Sequence, residues 1–164
     1  MQIFLLNSKK SSTFADMKNI LFICHGNICR SPMAEYVFRQ LALEAGKADE
    51  YKVSSAAVSY EETGNDIYPP AKRTLAAHHI PYAHHAAHRM QPAEYHEYDY
   101  IVCADRSNIR LLRAIIGDDP DGKVSLLMQW AGENRDVSDP WYTGDFETAH
   151  RDIVAGCTGL LQQI

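Results

Sequence analysis

The sequence predicts a single-domain α/β fold, a three-layer sandwich in which helices cover both faces of a four-stranded parallel sheet. Strand-like and helix-like segments alternate along the chain, as they do in βαβ units. The strand-like segments are mostly apolar throughout rather than alternately apolar and polar, which is typical of strands buried on both faces. With 164 residues, the chain is long enough to form one such domain with a substantial core.

The first strand and the helix after it are predicted by two different apolar patterns. Residues Ile20–Ile23 form an uninterrupted apolar run. From Met33 onwards apolar residues recur every four positions until Gly46, which predicts a helix at Pro32–Ala45. The remaining predicted elements follow in chain order: a strand at Tyr51–Ala57, a helix at Pro69–His79, a short helix near Pro92–His96, a strand at Tyr98–Ala104, a helix at Asp105–Ile116, a strand at Val124–Met128, a loop over residues 129–144 and a helix at Asp145–Gln163.

Residues 1–17 differ in composition from the rest of the chain, and we expect them to be a non-catalytic N-terminal extension. Their apolar stretch, Ile3–Leu6, is too short for the core of a signal peptide and follows no basic residue. The polar run Lys9–Thr13 is typical of a linker. The functional domain is therefore predicted to span residues 18–164.

Composition and charge exclude several classes of function. The net charge of −5 does not favour nucleic-acid binding, and no segment approaches the roughly 20 apolar residues that cross a bilayer. The four cysteines are too few and too scattered for a secreted disulfide scaffold, so a reducing compartment fits best. We therefore expect a cytoplasmic protein that binds neither nucleic acid nor membranes.

The most informative stretch is Asn19–Pro32, with the sequence NILFICHGNICRSP. A buried strand leads into a glycine-containing loop that opens a helix, so backbone N–H groups converge at the carboxyl end of the strand. Cys24 begins this loop and Arg30 ends it. A cysteine near a helix N-terminus readily forms the nucleophilic thiolate, and an arginine fork binds phosphate with two parallel hydrogen bonds. The stretch therefore predicts an enzyme that removes phosphate from its substrate.

Each of these residues also has a simpler explanation when taken alone. A lone cysteine at the end of a strand is usually structural, but Cys-x5-Arg-Ser at a strand–loop–helix junction is a far more specific pattern. An aspartate before a proline is common in turns. Asp139, however, is followed by Trp141 and Tyr142 on an otherwise polar loop. Two aromatic side chains at that place are suited to enclosing a flat ring, which favours a functional role.

The segment CHGNICRSP, together with SDPWYTGDFE at Ser138–Glu147, resembles the two signature motifs of the low-molecular-weight protein tyrosine phosphatases. Ser54–Ala57 and Asp105–Asn108 resemble intermediate motifs of that family, so the similarity extends from about Lys18 to the C-terminus. The resemblance implies the flavodoxin-like strand order 2-1-3-4 and hydrolysis of protein phosphotyrosine and of aryl phosphates. It also implies that the enzyme needs no cofactor. Its implied partners are phosphotyrosine-containing proteins, and its implied inhibitors are phosphate or other oxyanions.

The resemblance assigns roles to individual residues. It implies that Cys24 is the nucleophile that forms a phosphocysteine, Arg30 the phosphate clamp, and Asp139 the general acid and then base. The implied substrate-binding residues are His25, Gly26, Asn27, Ile28, Cys29, Ser31, Trp141 and Tyr142. Ser55 and His85 are implied to support the loop from behind, with His85 bracing the loop asparagine.

Alternatives stay open for several residues of the loop. Asn27 also fits a left-handed turn, and Ser31 also fits a helix N-cap, whereas the family uses this serine to hydrogen-bond the thiolate. Cys29 either packs under the loop or, as the resemblance implies, forms a reversible disulfide that protects Cys24 from over-oxidation. His25 stands where the family has an apolar or small residue, and its protonated form would add positive charge at the pocket mouth.

The eight histidines raise the question of a metal site. His84, His85 and His88 are close in sequence, but they form no H-E-x-x-H pattern. No acidic or cysteine residue lies between them. The sequence therefore predicts no metal site, and we expect these histidines to be solvated or packed against other residues.

Three other functions are compatible with the same loop. An arsenate reductase on this scaffold needs a further pair of redox cysteines after the third strand, but only Cys103 lies nearby and no cysteine follows within Asp105–Ile116. A phosphoarginine phosphatase would have a smaller polar residue at the Ile28 position, and isoleucine is better suited to an aromatic substrate. An inactive phosphate-binding module is disfavoured because Cys24, Arg30 and Asp139 are all present.

Overall fold

The computed structural model describes residues 17–164, so the predicted extension at residues 1–17 lies outside the described part except for Met17. Within this range the chain forms four strands and five α-helices. In chain order they are β1 (Lys18–Cys24), α1 (Arg30–Glu44), β2 (Tyr51–Ala57), α2 (Pro69–Ala77), β3 (Tyr100–Cys103), α3 (Arg106–Ile116), β4 (Val124–Leu126), α4 (Pro140–Thr143) and α5 (Phe146–Gln163). Three 3-10 helices lie at Ala48–Glu50, Pro92–Glu97 and Leu127–Ala131. None of the helices in the described range is both long enough and apolar enough to cross a membrane.

The sheet is fully parallel with the strand order β2-β1-β3-β4, which confirms the predicted fold class and order. β1 lies in the interior of the sheet, where Ile20 pairs with Val53 of β2 and with Tyr100 of β3. Because all strands run in one direction, their carboxyl ends meet along the same edge of the sheet. The loop that starts at Cys24 and the turn at Asp105 therefore lie at that edge.

The apolar run of β1 is buried because helices cover both faces of the sheet. Ile20 and Phe22 belong to a core formed with α1, α2 and α5. Leu21 and Ile23 point to the opposite face and belong to a second core, formed with α3 and the Pro92–Glu97 helix. All four side chains are at most 1% exposed. The uninterrupted apolar pattern of this strand thus reflects burial on both faces.

Two glycines allow α5 to pack closely on the Leu127–Ala131 helix. A Cβ atom at Gly159 would lie 1.9 Å from the carbonyl oxygen of Trp130, and one at Gly156 would lie 2.5 Å from Cγ of Leu127. Both distances are too short for any side chain, so only glycine fits at these positions. The close packing fixes the position of α5, which follows the loop of the predicted catalytic aspartate.

Several predicted boundaries differ from the structure by one or two residues: α2 ends at Ala77 rather than His79, and β3 is Tyr100–Cys103 rather than Tyr98–Ala104. β4 ends at Leu126 rather than Met128, and the chain continues as the Leu127–Ala131 helix. The side chain of Gln129 explains this change because its Oε1 atom accepts a hydrogen bond from the Leu126 N–H at 3.2 Å. α1 begins at Arg30, two residues before the predicted start.

Candidate active site

The loop between β1 and α1 turns its carbonyl groups outwards. Donors from other segments bind four of its carbonyl oxygens: Val58 N binds Cys24 O at 3.2 Å, Ser59 N binds His25 O at 3.2 Å, His85 Nε2 binds Asn27 O at 2.7 Å and Tyr68 N binds Ile28 O at 2.9 Å. In a trans peptide unit the N–H group points away from the carbonyl oxygen. The N–H groups of these units therefore face the space that the loop encloses, which makes that space suitable for an anion.

Cys24 is buried at 3% exposure, and two hydrogen-bonding groups face its sulfur. The backbone N–H of Asn27 donates to Sγ at 3.3 Å, and Oγ of Ser31 lies 3.0 Å from Sγ. The Asn27 side-chain amide donates to Ser31 Oγ at 2.8 Å, which leaves the serine hydroxyl proton directed at the sulfur. Both contacts are of the kind that stabilises a thiolate. Ser31 therefore contacts the sulfur, while Cys29 holds the N-cap position of α1.

Asn27 is fully buried and adopts a left-handed backbone conformation with φ at 61°. Its Nδ2 atom donates to Oγ of Ser55 at 3.0 Å as well as to Ser31, and its Oδ1 atom accepts from His88 N at 3.3 Å. Ser55 donates onward to Oε1 of Glu35 at 2.7 Å. Asparagine tolerates the left-handed conformation, and its side chain at the same time ties the loop to β2 and α1.

His85 lies behind the loop and is itself held in place. Its Nε2 atom donates to the Asn27 carbonyl oxygen, and its backbone N–H donates to Oδ1 of Asp66 at 3.0 Å. A hydrogen bond from Lys72 is the largest of the effects that lower the pKa of Asp66 to about 2. Asp66 is therefore a carboxylate at neutral pH and anchors the histidine backbone.

Arg30 closes the loop and is almost completely buried. Its Nη1 atom donates to Asp105 Oδ2 and to Val137 O, both at 2.8 Å, and its Nη2 atom donates to Asp139 Oδ2 at 3.4 Å. Burial by itself would lower the pKa of Arg30, but negative charge on Cys24, Asp139 and Asp105 outweighs burial and raises it. The guanidinium is therefore charged and held in one orientation.

Asp139 immediately precedes α4, a short helix that lies within residues 129–144, where the sequence predicts only a loop. The helix forms because Asp139 Oδ1 accepts a hydrogen bond from Trp141 N at 3.1 Å, as an N-cap does. Trp141 is 50% exposed, and its ring centroid lies 4.8 Å from that of Tyr68. Tyr142 is 83% exposed. Two aromatic rings thus stand beside the aspartate at the surface.

All three predicted catalytic residues line one pocket. Its lining residues are Cys24, His25, Gly26, Ile28, Cys29, Arg30, Glu61, Glu62, Asp139, Trp141 and Tyr142. The other predicted residues, Asn27, Ser31, Ser55 and His85, are not part of this lining and bind the loop or the sulfur from behind. The structure thus separates the predicted site into groups that face the pocket and groups that hold the loop.

Comparison of this chain with known proteins identifies the family to which it belongs. A model of the family described as low molecular weight phosphotyrosine protein phosphatase matches residues 19–164. The chain belongs to this family. The phosphatase is 35% identical over 150 residues to the low molecular weight protein-tyrosine-phosphatase YfkJ of Bacillus subtilis, covering 90% of this chain and 96% of YfkJ. It is 34% identical over 151 residues to the human low molecular weight phosphotyrosine protein phosphatase, covering 89% of this chain and 95% of the human protein.

Solved structures have the same fold as the phosphatase. The crystal structure of YfkJ matches with a TM-score of 0.86, covering 90% of this chain and 94% of that one. The structure of Vibrio vulnificus Wzb in complex with benzylphosphonate matches with a TM-score of 0.79 at 25% identity, covering 90% of this chain and 99% of that one. The family, the fold class and the enzyme class predicted from the sequence are thus confirmed.

Two acidic residues line the pocket of the phosphatase and are absent from the residues predicted by sequence. Glu61 Oε2 lies 3.1 Å from Nε2 of His25, so a carboxylate faces the positive charge that protonated His25 would carry. Glu62 packs against the loop, where a Cβ atom at Gly26 would lie 3.1 Å from its Cγ. Both glutamates reach the pocket from the connection between β2 and α2. Neither belongs to a sequence motif, so no pattern placed them in the site.

Asp105 and His88 are two further residues of the site, and the sequence analysis assigned no role in the site to either, although Asp105 belongs to a segment that resembles a family motif. Asp105 holds the Arg30 guanidinium, and its position directly after β3 is a signal that would have found it, since ligand-facing residues of parallel sheets gather at strand ends. His88 uses its backbone N–H to bind Asn27, a contact that no side-chain pattern indicates. Both residues orient groups that are themselves in the loop.

Proposed function

We propose that this chain hydrolyses phosphotyrosine in proteins, and other aryl phosphates, through a phosphocysteine intermediate. The observation that carries the proposal is the pocket shared by the Cys24 sulfur, the Arg30 guanidinium and the Asp139 carboxylate. Arg30 and Asp139 lie 109 positions apart in sequence and are within hydrogen-bonding distance. We assign catalysis to residues 18–164, since all of these groups lie in that range.

In the first step, the thiolate of Cys24 attacks phosphorus, so that a sulfur–phosphorus bond forms as the bond to the phenolic oxygen breaks. The inward-facing N–H groups of the loop and the guanidinium of Arg30 hold the three non-bridging oxygens of the phosphoryl group. The protonated carboxyl group of Asp139 donates its proton to the leaving phenolate. Positioning and electrostatic stabilisation supply most of the rate enhancement in such a transfer.

In the second step, water hydrolyses the phosphocysteine. The Asp139 carboxylate accepts a proton from the attacking water, which returns the aspartate to its protonated form. The sulfur–phosphorus bond breaks, inorganic phosphate leaves and the Cys24 thiolate is regenerated. The Asn27 N–H and the Ser31 hydroxyl stabilise the departing thiolate, since both face Sγ.

Cys29, the second thiol of the loop, supports the assignment of Cys24 as the nucleophile. Burial, followed by the nearby negative charge of Cys24, raises the pKa of Cys29. Cys29 is therefore a protonated thiol at neutral pH, and the thiolate is the reactive form of cysteine. A regulatory disulfide between the two residues stays a prediction.

Preference for an aryl group is supported by the walls of the pocket. Ile28, Trp141 and Tyr142 are apolar or aromatic residues that line the same pocket as Cys24. Wzb, a structural neighbour at 25% identity, was solved with benzylphosphonate, a phenyl ring joined through a methylene group to a phosphonate. By analogy, we expect phosphate and aryl phosphonates to inhibit this chain competitively.

A panel of substrates tests this proposal. We expect kcat/KM for a phosphotyrosine peptide to exceed that for phosphoarginine and for the matched phosphoserine peptide by at least about tenfold, because only the first carries a ring that fits the walls. Hydrolysis of p-nitrophenyl phosphate in the same buffer serves as the positive control. A preference for phosphoarginine, or arsenate reduction coupled to thioredoxin without aryl phosphatase activity, would overturn the proposal.

Replacing Asp139 with asparagine is expected to lower kcat by roughly 10²–10⁴-fold, the usual contribution of a positioned general acid. The loss should be larger for phenyl phosphate than for p-nitrophenyl phosphate, because the phenolate needs the proton more. Asparagine retains an oxygen that accepts from Trp141 N, so α4 should persist. Steady-state kinetics with both substrates measures this difference.

The matched control for this variant is Asp136→Asn, which changes an exposed aspartate that binds Arg106 outside the pocket. It should leave kcat within a few fold of the unsubstituted enzyme. An equal loss for both leaving groups in Asp139→Asn would contradict the role of this residue as the acid.

A further inference from the structure

A second cluster of polar side chains lies where the C-terminal end of α2 meets the first turn of α5. His78 follows α2 directly, and Glu147 and His150 lie one turn apart on α5. Nε2 of His78 is 2.8 Å from Oε2 of Glu147, and the rings of His78 and His150 stack with their centroids 4.0 Å apart. One potential ligand atom from each residue lies within 4.8 Å of those of the other two. None of the three lines the catalytic pocket.

His150 is the unusual member of this cluster. It is only 5% exposed, and its Nε2 atom has no hydrogen-bonding partner among the described residues. It is also the one buried side-chain nitrogen or oxygen in residues 17–164 without such a partner. A buried polar atom without a partner calls for an explanation such as an ion that the fold accommodates.

We propose that His78, Glu147 and His150 bind a zinc-class divalent metal ion. Neutral imidazole nitrogens and a carboxylate oxygen are a donor set that zinc uses with a water molecule as fourth ligand. A Glu-x-x-His pair on one helical turn directs both side chains to the same face, as in metal-binding helix bundles. The ion would provide the partner that the His150 ring lacks.

Binding the ion requires the side chains of His78 and Glu147 to move. Zinc–ligand distances of roughly 2.0–2.2 Å place tetrahedral ligand atoms about 3.4 Å apart, so atoms now up to 4.8 Å apart must approach. The side chains of His78 and Glu147 are 41% and 65% exposed, so both border on solvent. His78 must rotate out of its stack on His150, because lone pairs in parallel stacked rings do not converge. His150 stays in place as the buried anchor.

Binding would connect the end of α2 to the start of α5. Both helices carry groups next to the catalytic pocket: Tyr68 precedes α2, Phe146 begins α5, and their rings stack with centroids 6.1 Å apart. The ring of Tyr68 also contacts Trp141 of the pocket wall. An ion at this junction would therefore stabilise the packing behind one wall of the pocket without entering it.

Zinc titration of the full chain tests the proposal, with a chromogenic chelator as competitor. The titration is performed in a Cys24→Ser background, so that the active-site thiolate does not bind the ion. We expect one zinc ion per chain, and a rise in Tm of about 5 °C or more at a free zinc concentration 100 times Kd. His78→Ala and Glu147→Gln should each weaken binding by more than about 100-fold, since even residues behind metal ligands contribute roughly 10–100-fold.

The substitutions are made at the exposed residues His78 and Glu147 rather than at the buried His150. The test therefore does not require a His150→Ala variant to fold. The matched control is His79→Asn, because His79 neighbours His78, is not part of the cluster and has a left-handed φ of 57° that asparagine tolerates. The control should bind zinc as tightly as its parent. Absence of stoichiometric binding, or binding that His78→Ala and Glu147→Gln leave unchanged, would overturn the proposal.

Discussion

Replacing Cys24 with serine should reduce turnover of p-nitrophenyl phosphate by roughly 10⁵–10⁶-fold, the loss seen when a covalent nucleophile is removed. A serine hydroxyl in this loop has no adjacent base to activate it, whereas the thiol ionises to the nucleophile. The groups that we propose to hold phosphate do not depend on the sulfur, because they are the backbone N–H groups and Arg30. Steady-state kinetics and calorimetric titration with phosphate should therefore show lost turnover and retained binding.

Cys29→Ser is the matched control, because the same substitution is made five residues later in the same loop. Cys29 is a protonated thiol on the pocket lining, so its replacement should cost far less in kcat than that of Cys24. Turnover that survives in the Cys24→Ser variant, or loss of equal size in both variants, would contradict the assignment of the nucleophile.

Replacing Arg30 with lysine should lower kcat by roughly 10³–10⁵-fold, the range associated with an arginine that stabilises a phosphoryl transition state. Lysine keeps the positive charge but cannot bind phosphate with two parallel hydrogen bonds. It also cannot donate to Asp105 Oδ2 and Val137 O in the same geometry, so the charge would no longer be held at the loop. Single-turnover kinetics separates this loss of chemistry from weaker substrate binding.

Arg39→Lys is the control for Arg30→Lys, because Arg39 also binds a carboxylate and a backbone carbonyl, those of Glu35 and Val53. It lies outside the pocket lining and should change kcat by only a few fold. Circular dichroism and Tm of both variants show whether the fold persists. A kcat for Arg30→Lys within tenfold of the unsubstituted enzyme would contradict the clamp.

The catalytic loop can be predicted from sequence because its geometry is local. Cys24 and Arg30 belong to one strand–loop–helix unit, so their spacing alone places the thiol and the guanidinium at one opening. The neighbouring aromatic residues indicated that Asp139 is functional, but its acid and base role was predicted only through the resemblance to a family, because its contact with Arg30 joins residues 109 positions apart. No local pattern indicates such a contact.

Other groups of the site are brought into place by tertiary packing that no sequence pattern indicates. Glu61 carries no motif and reaches His25 only because the connection after β2 folds over the loop. The histidines that are clustered in sequence are not those of the proposed metal site. His78 and Glu147 are brought together across 69 positions, and only the packing of α2 on α5 shows that they meet.

The phosphocysteine intermediate is the central claim, and it can be observed directly. Rapid acid quench of the Asp139→Asn enzyme during turnover, followed by peptide mass spectrometry, should find phosphate covalently bound to Cys24. With p-nitrophenyl phosphate, whose leaving group needs the proton of Asp139 less, this variant should accumulate the adduct because it lacks the base that activates water in the second step. Phosphate on another residue of the loop, such as His25 or Cys29, or product formation with no adduct at any time, would contradict the mechanism.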